Sequence, residues 1–476
     1  MEKLKPRVGL LTLMFKLYDR IPTLEPEMTR FAKELIEVIR RFAVVEWPGI
    51  CKTREQVDET VKLFESENLD LIILVLLTYS PSHIALQSLK TTKLPILMFN
   101  TQRLYEVTAD IDPDELIRNH GMHGVQDMAN VLLRAGRRFE LVTSHYKDEI
   151  ALAEIGEWCQ AASIVNSLKR CRVGIIGYPL EGMGDFALDE TRLLSELGVE
   201  VNHISQRDLA CMARDAPSEV IREQTEKDHL IFSIAGDVSE KEHEESSRLE
   251  WAVRRMLKKE NMAAFTANFI AISEEGRLQT LPFLASSKML SEGYGYAGEG
   301  DILTSVAVLM MHRLAGSANF TEMFTMDFGG NSILMSHMGE GNHALAREDE
   351  RVEMVGSTLG LVELPVRPVL LRFALKPGLV TLANLTVTGE GRLKIVATEG
   401  TVVDFPPIKG VMTPHYKFQP AKPLTEFLTE LSREGCSHHF ALAYGRWSSS
   451  IEKIADIIGA DFAELSNLYK QQTNNL

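Results

Sequence analysis

Carboxylate and imidazole side chains recur in the second half of the chain, in surroundings that suit buried chemistry. Glu299 stands between two glycines, where the chain can turn tightly and direct the carboxylate inward. Glu322 and His337 lie among apolar neighbours, and His438 and His439 follow each other near the end of the sequence. A buried carboxylate is costly unless it is paired or binds a metal. Carboxylates and imidazoles together suit a divalent cation, Mn²⁺ first and Fe²⁺, Co²⁺ or Zn²⁺ after it.

The spacing of these residues leaves a second interpretation open. They do not form a close ligand motif such as H-E-x-x-H. A glutamate between glycines is often a loop residue, and paired histidines are often part of a core or a surface. Glu340 and Asp327 lie near the candidate ligands, and we interpret them as supporting or surface carboxylates.

A glycine-rich segment imitates a nucleotide-binding motif. Residues Gly293–Gly298 match G-x-G-x-x-G, but Ser287–Glu292 before them has a helical composition. The dinucleotide fingerprint needs a strand before it and a helix that begins at its last glycine. We therefore predict a turn that brings the backbone close to a pocket, and we expect Tyr294 and Tyr296 to pack rather than catalyse.

The elements that must position these residues alternate in the first third of the chain. Short apolar runs at Val8–Phe15, Leu71–Leu77 and Pro95–Phe99 predict buried strands, and Phe31 to Phe42 has helical spacing. Such alternation predicts a parallel sheet with helices on both faces. Polar residues that follow strands, such as Thr78–Pro81, are then candidate pocket residues.

The rest of the chain changes character. Arg172–Gly177 and Leu230–Ala235 predict strands of a second α/β unit. Three later runs are separated by glycine-containing turns, which is typical of antiparallel hairpins in a barrel or sandwich: Val369–Leu375, Leu379–Val387 and Leu393–Val403. Two segments near the end are predicted to be helical: Leu424–Leu431 and Ile451–Leu468. We place three domains at residues 1–167, 168–315 and 316–476.

Composition excludes several classes of protein. The 476 residues carry 51 Lys and Arg against 66 Asp and Glu, so the net charge of −15 does not favour nucleic-acid binding. The five cysteines are scattered, which favours a reducing compartment over a disulfide framework. No apolar run has the length of a membrane span, and no cleavage site follows the first apolar run. We expect a soluble cytoplasmic protein without a membrane or nucleic-acid partner.

Longer segments carry a family resemblance. Glu292–Asp301, Phe320–Glu322, Ser336–Met338 and His438–His439 resemble signature segments of the L-arabinose isomerase family. Further segments resemble that family in the same order, so that the resemblance covers essentially the whole chain: Leu77–Pro81, Asn100–Gln102, Asn119–Gly121, Ser144–His145 and Leu281–Pro282.

The resemblance implies a fold, a metal and an assembly. The implied fold has two doubly wound α/β domains of the fucose-isomerase type, followed by a C-terminal antiparallel β-barrel domain. Glu299, Glu322, His337 and His439 would bind Mn²⁺, with Co²⁺ or another divalent metal as alternatives. The family implies a cytoplasmic hexamer or tetramer with active sites at subunit contacts.

The resemblance also implies a reaction. Aldose–ketose isomerisation moves a proton between adjacent carbons through a cis-enediol, with Glu299 and Glu322 as the acid/base pair. His438 and, from a neighbouring subunit, His120 would contact the sugar. Two alternatives remain, namely a non-catalytic sugar-binding protein on the same fold and a related sugar epimerase.

Two departures from the family pattern concern the sugar. The family has Thr-Gly-Ser-Gln after the first strand, whereas this chain continues into Phe15 and Tyr18, which we place in the sugar pocket. Phe15 as part of the strand core is the alternative. His120 is followed by a glycine but not by the rest of the family's Gly-Gly-Arg-Glu pattern, so His123 and Asp127 are candidate replacements. The expected substrate is a pentose or a related sugar, not necessarily L-arabinose.

Overall fold

The computed structural model describes residues 5–357 and 359–466. They divide into two compact units, one within residues 5–166 and the other within residues 167–466. In the part of the chain that is described, each helix is too short or too polar to cross a membrane.

The first unit is built on a parallel sheet. The strand order is β2-β1-β4-β5-β6, with β3 beside the end of β1. The strands are β1 (Arg7–Leu13), β2 (Val44–Glu46), β3 (Ile50–Cys51), β4 (Leu71–Leu76), β5 (Ile96–Asn100) and β6 (Glu140–Thr143). The helices are α1 (Leu24–Ile39), α2 (Arg54–Ser66), α3 (Leu86–Thr91), α4 (Glu115–Arg118), α5 (Gly121–Arg134) and α6 (Glu149–Leu168).

Strand β4 shows why this sheet forms. All of its residues are buried, as expected for an apolar run in a parallel sheet that is covered on both faces. Its side chains join those of β1, α2, α3 and α5 in one core. The chain turns to β2 on one side of β1 and to β4 on the other, so the carboxyl ends of β1 and β4 flank a topological switch point.

The second unit begins with another parallel sheet, of order β11-β10-β7-β8. Its strands are β7 (Arg172–Ile176), β8 (Glu200–Ile204), β10 (Ala264–Ala267) and β11 (Gly295–Gly298). Strand β9 (Ser233–Ile234) belongs to a different, three-stranded sheet. The helices up to the barrel are α7 (Glu190–Leu197), α8 (Gln206–Arg214), α9 (Ser218–Ile231), α10 (Glu240–Lys259), α11 (Phe269–Glu275), α12 (Phe283–Ser291) and α13 (Ile302–Ala315).

A closed antiparallel barrel follows. Six strands pair in the order β16-β19-β12-β13-β18-β17, and β16 pairs with β17 to close the ring. The remaining strands are β12 (Asn319–Asp327), β13 (Ser332–Ser336), β14 (Glu353–Gly356), β15 (Val369–Arg372), β16 (Gly378–Val387), β17 (Leu393–Val402), β18 (Tyr416–Pro420), β19 (His439–Tyr444) and β20 (Asp461–Glu464). The last helices are α14 (Leu424–Arg433) and α15 (Ser448–Ile458). The predicted fold class, parallel α/β sheets followed by an antiparallel barrel, is confirmed.

Two predicted strands pair differently from expectation. Val369–Leu375 does not form a hairpin with β16, because β15 pairs antiparallel with β14, and both contribute side chains to the same core as the barrel strands. Leu230–Ala235 is not a strand of the parallel sheet. Leu230 and Ile231 end α9, and only Ser233–Ile234 is extended, where it pairs with β14.

Two further local predictions are wrong. Helix α15 ends at Gly459, whose φ of 72° provides the left-handed cap, and β20 then pairs in parallel with β17. Residues 467–468 of the predicted Ile451–Leu468 helix lie outside the described residues. Gly295–Gly298 is not a turn but the buried strand β11, which follows the predicted helix α12.

A candidate metal centre and active site

Glu299 lies at the carboxyl end of β11, where the chain turns sharply. Its φ of 63° is in the left-handed region, which costs energy for a residue with a side chain. The backbone is held on both sides, since Glu299 N donates to Ala267 O at 2.8 Å and Leu180 N donates to Glu299 O at 2.9 Å. The side chain is 5% exposed. The fold therefore directs this carboxylate into the interior, as its place between glycines predicts.

The barrel brings three more of the predicted ligands together. Glu322 on β12 lies directly opposite His439 on β19 and opposite Ser336 on β13. Residues that face each other across antiparallel strands have neighbouring side chains. His337 follows Ser336 directly, and the ring of Phe320 packs edge-on against the rings of His337 and His439.

Each of the two buried histidines is held by a second carboxylate. His337 Nδ1 lies 2.7 Å from Glu340 Oε2, and Glu340 Oε1 accepts a hydrogen bond from the Tyr296 hydroxyl at 2.6 Å. His439 Nδ1 lies 3.0 Å from Asp301 Oδ2, and the other oxygen of Asp301 caps α13. Carboxylates that bind one ring nitrogen in this way orient the other nitrogen toward a metal.

The atoms left over are the ones that a cation would need. Among the described residues, His337 Nε2, His439 Nε2 and Glu299 Oε2 are buried and have no hydrogen-bond partner. A buried polar atom without a partner is costly, so these three atoms fit a missing ligand. Gly298 leaves room beside them, because a Cβ there would lie 2.4 Å from His337 Cε1.

The structure divides the ligand atoms into two overlapping groups. One group contains Glu322, His337 and His439, the other contains Glu299, His438 and His439, and the ligand atoms of each group lie within 4.8 Å of one another. His439 belongs to both. Each of the four predicted ligands, Glu299, Glu322, His337 and His439, belongs to at least one of these groups, and we call this candidate ligand set the metal centre. The residues present fit a divalent cation with mixed carboxylate and imidazole ligands.

The electrostatics of the metal centre follow from burial and from the carboxylate–imidazole pairs. Burial raises the pKa of Glu299, but the neighbouring imidazoles outweigh burial and lower it below its usual value. Burial lowers the pKa of His337, and the charge of Glu340 outweighs burial and raises it. The Glu340 carboxyl is fully buried, yet His337 holds its pKa below the usual range.

His438 lies at the edge of the metal centre and is half-buried. Its Nε2 is 3.6 Å from Glu299 Oε2 and 3.9 Å from Glu322 Oε1, while its Nδ1 is 2.7 Å from Asp185 Oδ2. Burial lowers the pKa of His438, but the carboxylates on both sides of the ring raise it to about 9. The predicted sugar-contact residue thus lies against both predicted acid/base residues.

The predicted sugar-pocket residues of the first unit lie together at the ends of β1 and β4. Phe15 packs edge-on against Tyr18 and Tyr79, with ring centroids 5.6 Å apart in both pairs. Tyr79 stacks on His123 at 4.6 Å, and His123 Nδ1 lies 3.0 Å from His120 Nε2. We call these five residues the aromatic–histidine cluster. Phe15 lies beyond the end of the strand and is partly exposed, whereas Met14 before it is buried in the core.

Two glycines explain how the histidines reach this position. A Cβ on Gly121 would lie 2.1 Å from Leu76 O, and a Cβ on Gly124 would lie 2.4 Å from Leu76 Cδ2. The start of α5 can therefore rest directly on the end of β4, with His120 and His123 at its first turn.

Several predictions for single residues are refined. Both carboxylate oxygens of Asp127 accept hydrogen bonds from Ser82, one from its backbone N–H and one from its hydroxyl. Asp327, the last residue of β12, accepts hydrogen bonds from Gly330 N in the following turn and from Lys417. Tyr296 packs as expected, but its hydroxyl also binds Glu340, which we did not predict.

Sequence reasoning missed Asp185 and Phe186. They lie in the segment after β7, within a short 3-10 helix at Gly184–Phe186. Ligands of parallel sheets bind at the carboxyl ends of the strands, which is why polar residues after β4 were predicted to line a pocket. The same rule applies to the segment after β7 and could have indicated Asp185.

Comparison with known proteins places most of the chain in one family. A model of the L-arabinose isomerase N-terminal domain matches residues 17–170. Models of the central and C-terminal domains of the same family match residues 189–317 and 317–461.

Curated relatives agree with these domain matches. An L-arabinose isomerase of Nocardioides sp. is 28% identical over 81% of this chain and 78% of its own. An L-arabinose isomerase of Mycolicibacterium smegmatis is 26% identical over 88% of this chain and 85% of its own. Among solved structures, a periplasmic solute binding protein from Actinobacillus succinogenes with bound D-allose is 14% identical over 58% of this chain and 84% of its own. Its TM-score of 0.17 supports no argument. With three domain models in the family's order, the chain belongs to the L-arabinose isomerase family, a family of aldose–ketose isomerases.

Proposed function

We propose that this protein is a divalent-metal-dependent aldose–ketose isomerase that acts on a pentose or a related sugar through a cis-enediol. The observation that carries the proposal is the pair of buried rings, His337 and His439, each held at Nδ1 by a carboxylate and each with an unpartnered Nε2. Glu299 and Glu322 complete the set. A sugar-binding protein without catalysis has no need for such a costly arrangement.

Glu299, Glu322, His337 and His439 would hold the cation, and Mn²⁺ suits these ligands best, with Co²⁺ as an alternative. When bound, a divalent cation polarises the sugar carbonyl and orients two neighbouring oxygens of the sugar. Glu340 and Asp301 would keep the two rings in place and make them better ligands.

The two glutamates would carry out the proton transfers. One carboxylate takes the proton from one sugar carbon and returns it to the adjacent carbon, and the other moves the hydroxyl proton between the two oxygens. Glu299 is well buried and Glu322 is partly exposed, so their surroundings differ although they are close. Different surroundings for two carboxylates are what a separation of acid and base roles requires.

In the second unit, His438 beside the two carboxylates would contact the sugar. In the first unit, the predicted sugar-contact residues are Phe15, Tyr18 and His120. We propose that the protein assembles into a cytoplasmic homo-oligomer, as the family resemblance implies. In that assembly, His120 would contact the sugar bound to a neighbouring subunit. An aromatic ring at Phe15 in place of the family's glutamine removes a hydrogen-bonding amide, which favours a sugar other than L-arabinose.

A panel of aldoses tests the proposal. Protein freed of metal by a chelator is given Mn²⁺, Co²⁺ or Mg²⁺ with each aldopentose and aldohexose in D₂O. We expect one sugar or a few to yield a ketose and to take up deuterium at carbon. An epimer in place of a ketose would indicate the epimerase instead.

A variant of Glu299 and a matched control variant test whether Glu299 takes part in the proton transfer. We expect Glu299→Gln to abolish deuterium uptake, while Glu390→Gln, the same change at an exposed turn, behaves as the wild type. Binding of a sugar without deuterium uptake in the wild type, for every sugar and metal offered, would establish the binding protein and overturn the proposal.

A further inference from the structure

The ring of His438 is held between two sets of carboxylates. Nδ1 lies 2.7 Å from Asp185 Oδ2, and Nε2 faces Glu299 and Glu322 at 3.6 and 3.9 Å. A flip of the ring would lose the 2.7 Å contact of Nδ1 with Asp185, so this contact favours the orientation in which Nε2 faces the two proposed acid/base residues.

Phe186 holds the same ring by its face. Its side chain is 1% exposed, and its ring centroid lies 5.0 Å from the ring of His438 and 5.0 Å from the ring of His439. The backbone N–H of His438 also lies 3.4 Å from Asp185 Oδ2. Two consecutive residues thus contact His438, one at its Nδ1 edge and one at its face.

The segment that carries Asp185 is fastened to Glu299. Leu180 N donates to Glu299 O, and Asn268 Nδ2 donates to Tyr178 O at 2.8 Å. Gly300 permits the contact, since a Cβ there would lie 2.6 Å from Pro179 Cα. The loop after β7 therefore links the backbone of one proposed acid/base residue to the carboxylate behind His438.

We infer that Asp185 is a positioning residue, which acts through His438 and fixes its Nε2 toward the sugar hydroxyl that lies next to Glu299 and Glu322. This inference rests on the proposed isomerase function. It assigns the loop after β7 a part in holding the substrate, in addition to the metal centre. The alternative is that His438 and Asp185, whose side chains are 33% and 34% exposed, form an ordinary surface ion pair with no part in catalysis.

The kinetic test is a double-variant cycle. We expect Asp185→Asn to lower kcat/KM by roughly 10- to 100-fold, by analogy with the loss of a carboxylate that orients a metal-binding histidine. The affinity for Mn²⁺, measured by calorimetry, should stay within about threefold, because Asp185 does not hold a ring of the metal centre. Asp189→Asn is the matched control, since it removes the same charge from the same segment and asparagine still caps α7.

The cycle separates positioning from general damage. In a His438→Gln background, Asp185→Asn should cause no further loss beyond about twofold, because the residue through which it acts is gone. A further loss as large as in the wild-type background would overturn the inference, and so would Asp185→Asn activity equal to that of Asp189→Asn.

A structural readout does not depend on isomerisation. Crystal structures of the wild type and of Asp185→Ala at the same pH should show the His438 ring in one orientation in the wild type and rotated or in two orientations in the variant. An unmoved ring would overturn the positioning role. If the wild type isomerises no sugar, the proposed function fails, and this comparison still decides whether Asp185 positions His438.

Discussion

The metal centre of the second unit and the aromatic–histidine cluster of the first unit use histidine in different ways. In the metal centre, each buried ring is held at Nδ1 by a carboxylate, and its other nitrogen is left without a partner among the described residues. In the aromatic–histidine cluster, His120 and His123 contact each other and Tyr79, and all three are at least partly exposed.

Residues of the two sites differ in how readily they can be replaced. Rings fixed by buried carboxylates cannot be replaced singly, because each replacement leaves a buried charge or a buried polar atom without its partner. Rings that contact one another at the ends of strands can be replaced with a smaller loss of stability. The departures from the family pattern, around Phe15 and after His120, lie in the second kind of region.

The largest expected effect is in the metal centre. We expect Glu322→Gln to lower kcat by roughly 10²- to 10⁴-fold, the contribution of a positioned acid or base. Steady-state kinetics with saturating Mn²⁺ measure it, and the exposed change Glu390→Gln is the control. A loss below about tenfold would remove the acid/base role from Glu322.

The carboxylates behind the rings should come next. Glu340→Gln leaves the shape of the side chain but removes the charge that raises the pKa of His337. We expect the affinity for Mn²⁺ to fall roughly 10- to 100-fold, measured by calorimetry, with Glu348→Gln as the exposed control. Unchanged metal affinity would show that Glu340 only packs beside His337.

Burial of His312 should make the free energy of unfolding depend on pH. Burial lowers the pKa of His312 to about 4, so the folded state stays unprotonated while the unfolded state binds a proton below about pH 6.5. Stability from this group is therefore lost as pH falls through 6.5 and levels off near 4. Between pH 7 and 5 we expect the wild type to lose about 2 kcal/mol more free energy of unfolding than His312→Asn.

Asparagine is the suitable replacement because His312 Nδ1 accepts a hydrogen bond from Ala318 N, and an amide oxygen can do the same. Urea unfolding at the two pH values measures the difference. Parallel pH profiles for the wild type and His312→Asn would contradict the prediction.

The smallest effect should be in the aromatic–histidine cluster. We expect His123→Ala to raise KM for the preferred sugar by roughly 3- to 10-fold, the value of one hydrogen bond, with little change in kcat. His203→Ala, an exposed histidine of the second unit, is the control. If kcat fell as far as in Glu322→Gln, the contrast between the two clusters would disappear.

Much of the fold was predictable because its signals are local. The apolar runs that become β1, β4 and β5 are long enough to predict buried strands, and the turn between β16 and β17 predicts their hairpin. The wrong predictions also have physical causes. Val369–Arg372 has the composition of a hairpin strand, but its partner is β14, which no local pattern indicates. The domain boundaries near residues 167 and 315 stay predictions.

The kinds of side chain available for chemistry, and the local elements that carry them, can be read from the amino-acid sequence. Glu299 between glycines and His438 beside His439 are readable from neighbours in the chain. Which of these groups come into contact depends on how the chain folds. The pairing of Glu322 with His439, and the contacts of Asp301 with His439 and of Asp185 with His438, join residues more than a hundred positions apart. Such contacts depend on strand register and on the packing of distant loops, and neither is encoded in local propensity.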